Sequence, residues 1–251
     1  GVQRHIAERT SHSCDLVTMG SPEGAFWGLV EAYQSFARKD LSGYDLVISG
    51  KYPAWMVNHP NHVVFLQHKL RGLYDTYPVT PLQERAMALD APAREVMAWM
   101  DETRRGPLGP GQAAALFARL EAIRPLGLSA VTTAFPGPFS KAVVHFFDDC
   151  ALNSRMIRRF LTQSKLVRDR LEYFPRHVDV GVVYPPAHRD DYFCAGDDYL
   201  FTSSRLDPIK RLEGVILAMR EVTADIPLLI AGTGPDEARL KQLAADDKRI
   251  R

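Results

Sequence analysis

Residues 199–211 read Tyr199-Leu200-Phe201-Thr202-Ser203-Ser204-Arg205-Leu206-Asp207-Pro208-Ile209-Lys210-Arg211, and this stretch decides the fold class. The short apolar run at 199–203 predicts a strand. Asp207 then supplies an N-cap, and Pro208 falls at the first helical position, where a missing N–H costs nothing. Leu212, Val215, Ile216, Met219 and Val222 recur at helical spacing, which predicts a helix over 208–222 with one buried stripe. The alternation continues with a strand at 227–231, the turn Gly232-Thr233-Gly234 and a helix at 235–245. Strands alternating with helices predict parallel pairing and an α/β architecture.

Upstream, the same rhythm is looser. Residues 14–19 (CDLVTM), 44–49 (YDLVIS) and 62–67 (HVVFLQ) read as strands, the last two buried because their apolar runs are continuous. Residues 25–38 read as a helix with Phe26, Leu29, Val30 and Tyr33 on one face. Residues 79–138 break the pattern and read as a helical insertion, with Gly106-Pro107-Leu108-Gly109-Pro110-Gly111 as its turn. Helices at 140–151 and 165–173 and a strand at 178–184 follow. Residues 187–198 are polar and aperiodic, as expected of a linker. The expected organisation is therefore an N-terminal Rossmann-like domain over 1–186, a linker, and the beginning of a second parallel-sheet domain over 199–251.

Composition narrows the function. Hydrophobic residues make up 46% of the 251, an ordinary globular share. Lys and Arg number 31 against 30 Asp and Glu, a net charge of +1, which excludes a nucleic-acid binder working through bulk positive charge. Cys14, Cys150 and Cys194 lie far apart and read as free thiols in a reducing compartment. No apolar run reaches the ~18 residues of a membrane span and no signal peptide opens the chain. The expected location is cytoplasmic. The basic stretch 155–176 reads as a solvated helix face, with peripheral contact at the inner face of a membrane as the alternative. Because the sequence starts at Gly1 and stops at Arg251 in mid-pattern, it reads as a fragment, inactive or very weak by itself.

Charge placement marks a site. Arg205, Lys210 and Arg211 crowd a predicted helix N-terminus, where the macrodipole already disfavours cations. A bound anion relieves that conflict, each cation–anion contact being worth about 4 kcal/mol at ~4 Å and a dielectric of ~20, before desolvation. The turn Gly232-Thr233-Gly234 follows a strand one βα unit later, at the edge where open α/β sheets take ligands.

The elements Arg205-Leu206-Asp207-Pro208-x-Lys210-Arg211 and Pro227-Leu228-Leu229-Ile230-Ala231-Gly232-Thr233-Gly234-Pro235-Asp236 resemble the start of the C-terminal domain of GT-B glycosyltransferases. More narrowly, they are similar to the retaining, nucleotide-sugar-dependent group called family 4. Gly1-Val2-Gln3-Arg4-His5 resembles the second half of that family's glycine loop, and Ser164-Lys165-x-Val167-Arg168 its late N-domain serine motif. The resemblance implies a GT-B fold of two Rossmann-like domains, the second incomplete in this chain. It implies transfer of a sugar from a nucleotide-sugar donor to the hydroxyl of a glycan, lipid-linked or small-molecule acceptor, metal-independent and without a cofactor. In that reading Arg205 and Lys210 hold the donor diphosphate and stabilise the leaving nucleotide. His68 stands near the donor sugar, and Gly1, Gly232 and Gly234 line the donor. Alternatives are a nucleotide-sugar epimerase, a phosphorylase, or a sugar-nucleotide-binding module without turnover. The family's E-x7-E element is absent, and Tyr184-Pro185-Pro186 replaces its usual P-N-G.

Other polar residues read as structural. His5, His12, His59, His62, His145, His177 and His188 lack metal-ligand spacing. The pairs Asp148-Asp149, Asp190-Asp191 and Asp197-Asp198 read as solvated, and Trp27, Trp55 and Trp99 as packing residues.

Overall fold

The computed structural model describes residues 2–20, 25–76, 89–153, 155–185, 191, 196 and 198–251. It divides into two compact units, Gly1–Pro186 and Ala187–Arg251. Both are α/β with parallel sheets, the coarse Rossmann-like class expected.

The first unit holds a four-stranded parallel sheet in the order β1 (Val47–Lys51), β2 (His62–His68), β3 (Ile157–Thr162), β4 (Val180–Val182). β2, paired along both edges, buries alternate residues His62, Val64 and Leu66 because the pleat turns them to one face. β1 begins at Val47, three residues later than expected. The carbonyls of Tyr44 and Asp45 are already bound, by His59 Nε2 at 2.9 Å and Asn61 Nδ2 at 2.7 Å, so the ladder starts where Val47 N donates to Asn61 O.

Helix Phe26–Ala37 follows its expected span and buries the predicted face, Phe26, Leu29, Val30 and Tyr33, together with Phe36. The insertion supplies two helices, Ala91–Thr103 and Pro110–Ile123, separated by the Gly/Pro turn. They pack against helix Pro138–Leu152 and share its core: Val96, Met100, Leu116, Phe117 and Leu120 sit with Phe139, Phe146 and Phe147. Residues 79–88 of the expected insertion lie outside the described residues.

Several expectations are corrected. Residues 14–19 form no strand; Leu16 stays 71% exposed, and no described strand lies beside the free edge of β1 for them to join. β3 was not anticipated, because Arg158 and Arg159 mask its short apolar run inside the basic stretch. They stay exposed at its amino end while Phe160 and Thr162 are buried. The helix expected at 165–173 is one turn, Lys165–Arg168, capped by Ser164 Oγ accepting from Val167 N at 3.2 Å. It ends because Tyr173 turns fully inward to donate to Asp75 at 2.7 Å, with Glu172 in the left-handed region at φ 61°. The strand expected at 178–184 shortens to Val180–Val182.

In the second unit β5 (Leu200–Ser203) pairs in parallel with β6 (Leu228–Ala231), and residues 249–251 run beside β6 through Leu228 N–Arg249 O and Ile230 N–Arg251 O. Its core is Leu206, Leu212, Ile216 and Leu240. The strand expected at 199–203 forms over Leu200–Ser203, with Phe201 60% exposed. The helix expected over 208–222 is interrupted: Pro208–Lys210 is a 3-10 turn, Arg211 takes φ 54°, and the α-helix runs only over Leu212–Ala218. Turning at Arg211 brings Leu212 and Ile216 onto Leu206 and Leu240. The last helix is Glu237–Ala244.

Candidate functional site

The parallel register of β5 and β6 sends the loops after Ser203 and Ala231 off one edge of the sheet. Backbone hydrogen bonds lace them together: Ser204 N to Ala231 O (3.1 Å), Leu206 N to Thr233 O (2.9 Å) and Asp236 N to Leu206 O (3.0 Å). Gly232 sits at φ 151°, and a Cβ there would fall on the Ser204 carbonyl; at Gly234 it would fall on the Leu206 carbonyl. Both glycines are thus required by the approach of the neighbouring loop. Spacing alone led to the expectation that this approach served a ligand.

Arg205 is 68% exposed and pairs with Asp207 at 3.2 Å. Asp207 also accepts from Ile209 N at 3.2 Å, which caps the 3-10 turn rather than an α-helix. Lys210 and Arg211 are exposed and make no ion pair with any described residue. The expected charge conflict at an α-helix N-terminus is therefore milder, since the true helix starts two residues beyond Lys210. Behind the loops, buried Asp236 is held by Arg239 at 2.6 Å, and that guanidinium keeps its carboxyl below the usual range. Arg205, Lys210, Gly232 and Gly234 therefore share one edge of the second unit.

His68 lies at the carboxyl end of β2 in the first unit, half-buried, its ring 5.9 Å from that of Tyr52. Its Nδ1 meets Lys69 O at 3.0 Å. In the neutral ring Nδ1 carries the proton, and Nε2 is left as an acceptor with no described partner. Gly1 lies outside the described residues.

A polar network beneath the segment after His68 escaped the sequence reading. Asp148, expected to be solvated, is fully buried. It accepts from Tyr33 Oη (2.9 Å), Trp55 Nε1 (2.9 Å) and Tyr74 Oη (2.8 Å). Burial pushes its carboxyl up, and pushes the Tyr33 and Tyr74 phenols up as well. Lys69, also buried, donates to Glu172 O at 2.6 Å and lies 4.7 Å from the centre of the Tyr74 ring; burial lowers its ammonium. His145 stacks on Tyr74 at 3.8 Å, and Nε2 donates to Leu73 O at 2.9 Å. Burial drops its pKa to about 4, which keeps the ring neutral at pH 7. The network ties helices 26–37 and 138–152 to the segment that follows His68. Its one legible signal was helical phase, which places Asp148 on the stripe of Val144 and Ala151.

Asp191 and Asp198 are exposed, and Asp190 and Asp197 lie outside the described residues. Cys14 and Cys150 are free; Cys150 is buried, its thiol pushed up to about 12, while Cys194 lies outside. Among the described residues no helix is long and apolar enough to cross a membrane, and no three His, Cys, Asp or Glu converge as a metal-ion site. Comparison with protein-family models, curated proteins and solved structures finds no match to this chain.

Proposed function

We propose that this chain is part of a GT-B-type glycosyltransferase of the retaining, metal-independent kind, taking a nucleotide-sugar donor and an acceptor hydroxyl. The observation that carries the reading is the pair of laced loops, which support exposed Arg205 and Lys210 on the carboxyl edge of a parallel sheet. A diphosphate leaving group develops negative charge as the sugar bond breaks, and fixed cations at that edge stabilise it. Arg205 offers a planar fork suited to phosphate oxygens, with Asp207 orienting it; Lys210 adds a mobile point charge. His68, tied to Lys69 O through Nδ1, offers Nε2 as the ring atom that meets a sugar hydroxyl. Work in the cytoplasm, or at the inner face of a membrane where basic residues of 155–176 meet a lipid-linked acceptor, belongs to the same proposal.

Replacing Arg205 or Lys210 by Ala in the full-length enzyme lowers turnover at least ~100-fold, as removal of one transition-state charge contact does elsewhere. The assay is nucleotide release coupled to acceptor glycosylation. Unchanged turnover in both variants contradicts the proposal, and donor consumption without an acceptor favours an epimerase or hydrolase instead.

A further inference from the structure

At the opposite, amino end of the four-stranded sheet lies a cavity of about 340 Å³. Its walls are Trp55, Met56, Val57 and Phe117, with His62 at one side and Arg38 and Glu121 at the mouth. The size matches small-molecule pockets, whose mostly apolar walls carry a few placed polar groups.

The decisive group is His62, the first residue of β2 and only 2% exposed. Nε2 lies 2.8 Å from Ser49 Oγ, also buried, and Nδ1 has no hydrogen-bond partner among the described residues. Burial, together with the neighbouring His59, holds the ring pKa down at about 4, so at pH 7 the imidazole is neutral. A buried polar atom without a partner costs free energy that a bound polar group recovers. At the mouth, Arg38 and Glu121 face each other at 3.6 Å and their charges cancel. Gln34 also donates to Glu121, at 2.6 Å. A charged ligand therefore finds no uncompensated partner here, while two aromatic walls accommodate a flat ring.

We propose that this cavity binds a neutral, flat, bicyclic-sized aromatic molecule whose single polar group hydrogen-bonds His62 Nδ1. The site lies wholly in the first unit, at the other end of β2 from His68, and uses no residue of the transferase reading, so it stands whether or not that reading does.

Three probes of similar size test it on the chain: indole (a donor), quinoline (an acceptor) and naphthalene (neither), titrated at pH 7 while the His62 ring signals are followed by NMR. Expected is saturable binding in which indole or quinoline exceeds naphthalene by about tenfold, the share of one hydrogen bond. That advantage disappears in His62→Phe. Ala114→Trp and Ala118→Trp change exposed positions on the cavity wall and leave the core intact, so either one that keeps the wild-type circular dichroism serves as the blocked form; it weakens all three probes at least tenfold. No saturable binding of any probe at millimolar concentration, equal affinity for naphthalene, or wild-type affinity in the blocked form overturns the proposal.

Discussion

The two units solve the same problem, a parallel sheet with helices, by different means. In the first, four strands carry a continuous core of Phe139, Phe146, Phe147, Leu66, Met100 and Leu120, and a buried carboxylate at its heart is matched by three donors. In the second, four described side chains form the buried cluster, and the order of the site edge comes from backbone hydrogen bonds between two loops that glycines let approach. Burial and a satisfied polar network stabilise the first; close backbone packing specifies the second. The sheet edge that presents Arg205 and Lys210 is therefore held locally, and stability and site geometry separate.

The largest effect expected on this contrast comes from Asp148→Ala, which strands Tyr33, Trp55 and Tyr74 without their acceptor beside buried Lys69. Removing one member of such a network costs about 3–5 kcal/mol, read in chemical denaturation as loss of first-unit signals while β5 and β6 amide protection persists. Equal loss of both units would show that the contrast is false.

Acid comes next. His62 and His145 both have folded pKa values of about 4 against 6.5. The unfolded chain binds these protons first, so their stabilisation is complete above 6.5 and disappears as pH falls towards 4. Each contributes up to about 3 kcal/mol over that window. Asp148 and Asp149, whose carboxyls are raised above 3.8 by burial, act in the opposite sense, their share being lost as pH rises. The histidine share is therefore the difference in slope between wild type and His62→Gln or His145→Gln. No histidine lies within 191–251, so β6 amides should show no such slope.

A smaller, sharper test is Gly234→Ala. The added Cβ collides with the Leu206 carbonyl, and the strain is worth about 1–3 kcal/mol. It appears as faster hydrogen exchange at the Leu206 and Asp236 amides, with helix 138–152 unchanged. Slower or unchanged exchange would mean that the loops have room the structure does not show.

What was legible followed the range of the forces. β2 and helix 26–37 stand close to their expected spans because a continuous apolar run and a one-faced stripe are local signals. The cap at Asp207-Pro208 and the turn at Gly232-Thr233-Gly234 were legible, as turn chemistry written in adjacent residues. β3 was hidden because Arg158 and Arg159 interrupt its apolar run, and its strand character depends on β2 and β4 flanking it. The break at Arg211 escaped because helical periodicity runs straight through it. Asp148 was unreadable from its neighbourhood: its partners stand 115, 93 and 74 residues away, and a carboxylate looks solvated until its donors are known.

The central claim is that the edge carrying Arg205 and Lys210 receives a diphosphate. Titration of the chain with UDP, GDP and ADP, followed at the amides of 204–211 and 232–236, tests it most directly. The account predicts saturable shifts in those two loops with at least one nucleotide, weakened at least tenfold in Arg205→Ala and Lys210→Ala; unshifted loops, or variants that bind as wild type does, would contradict it.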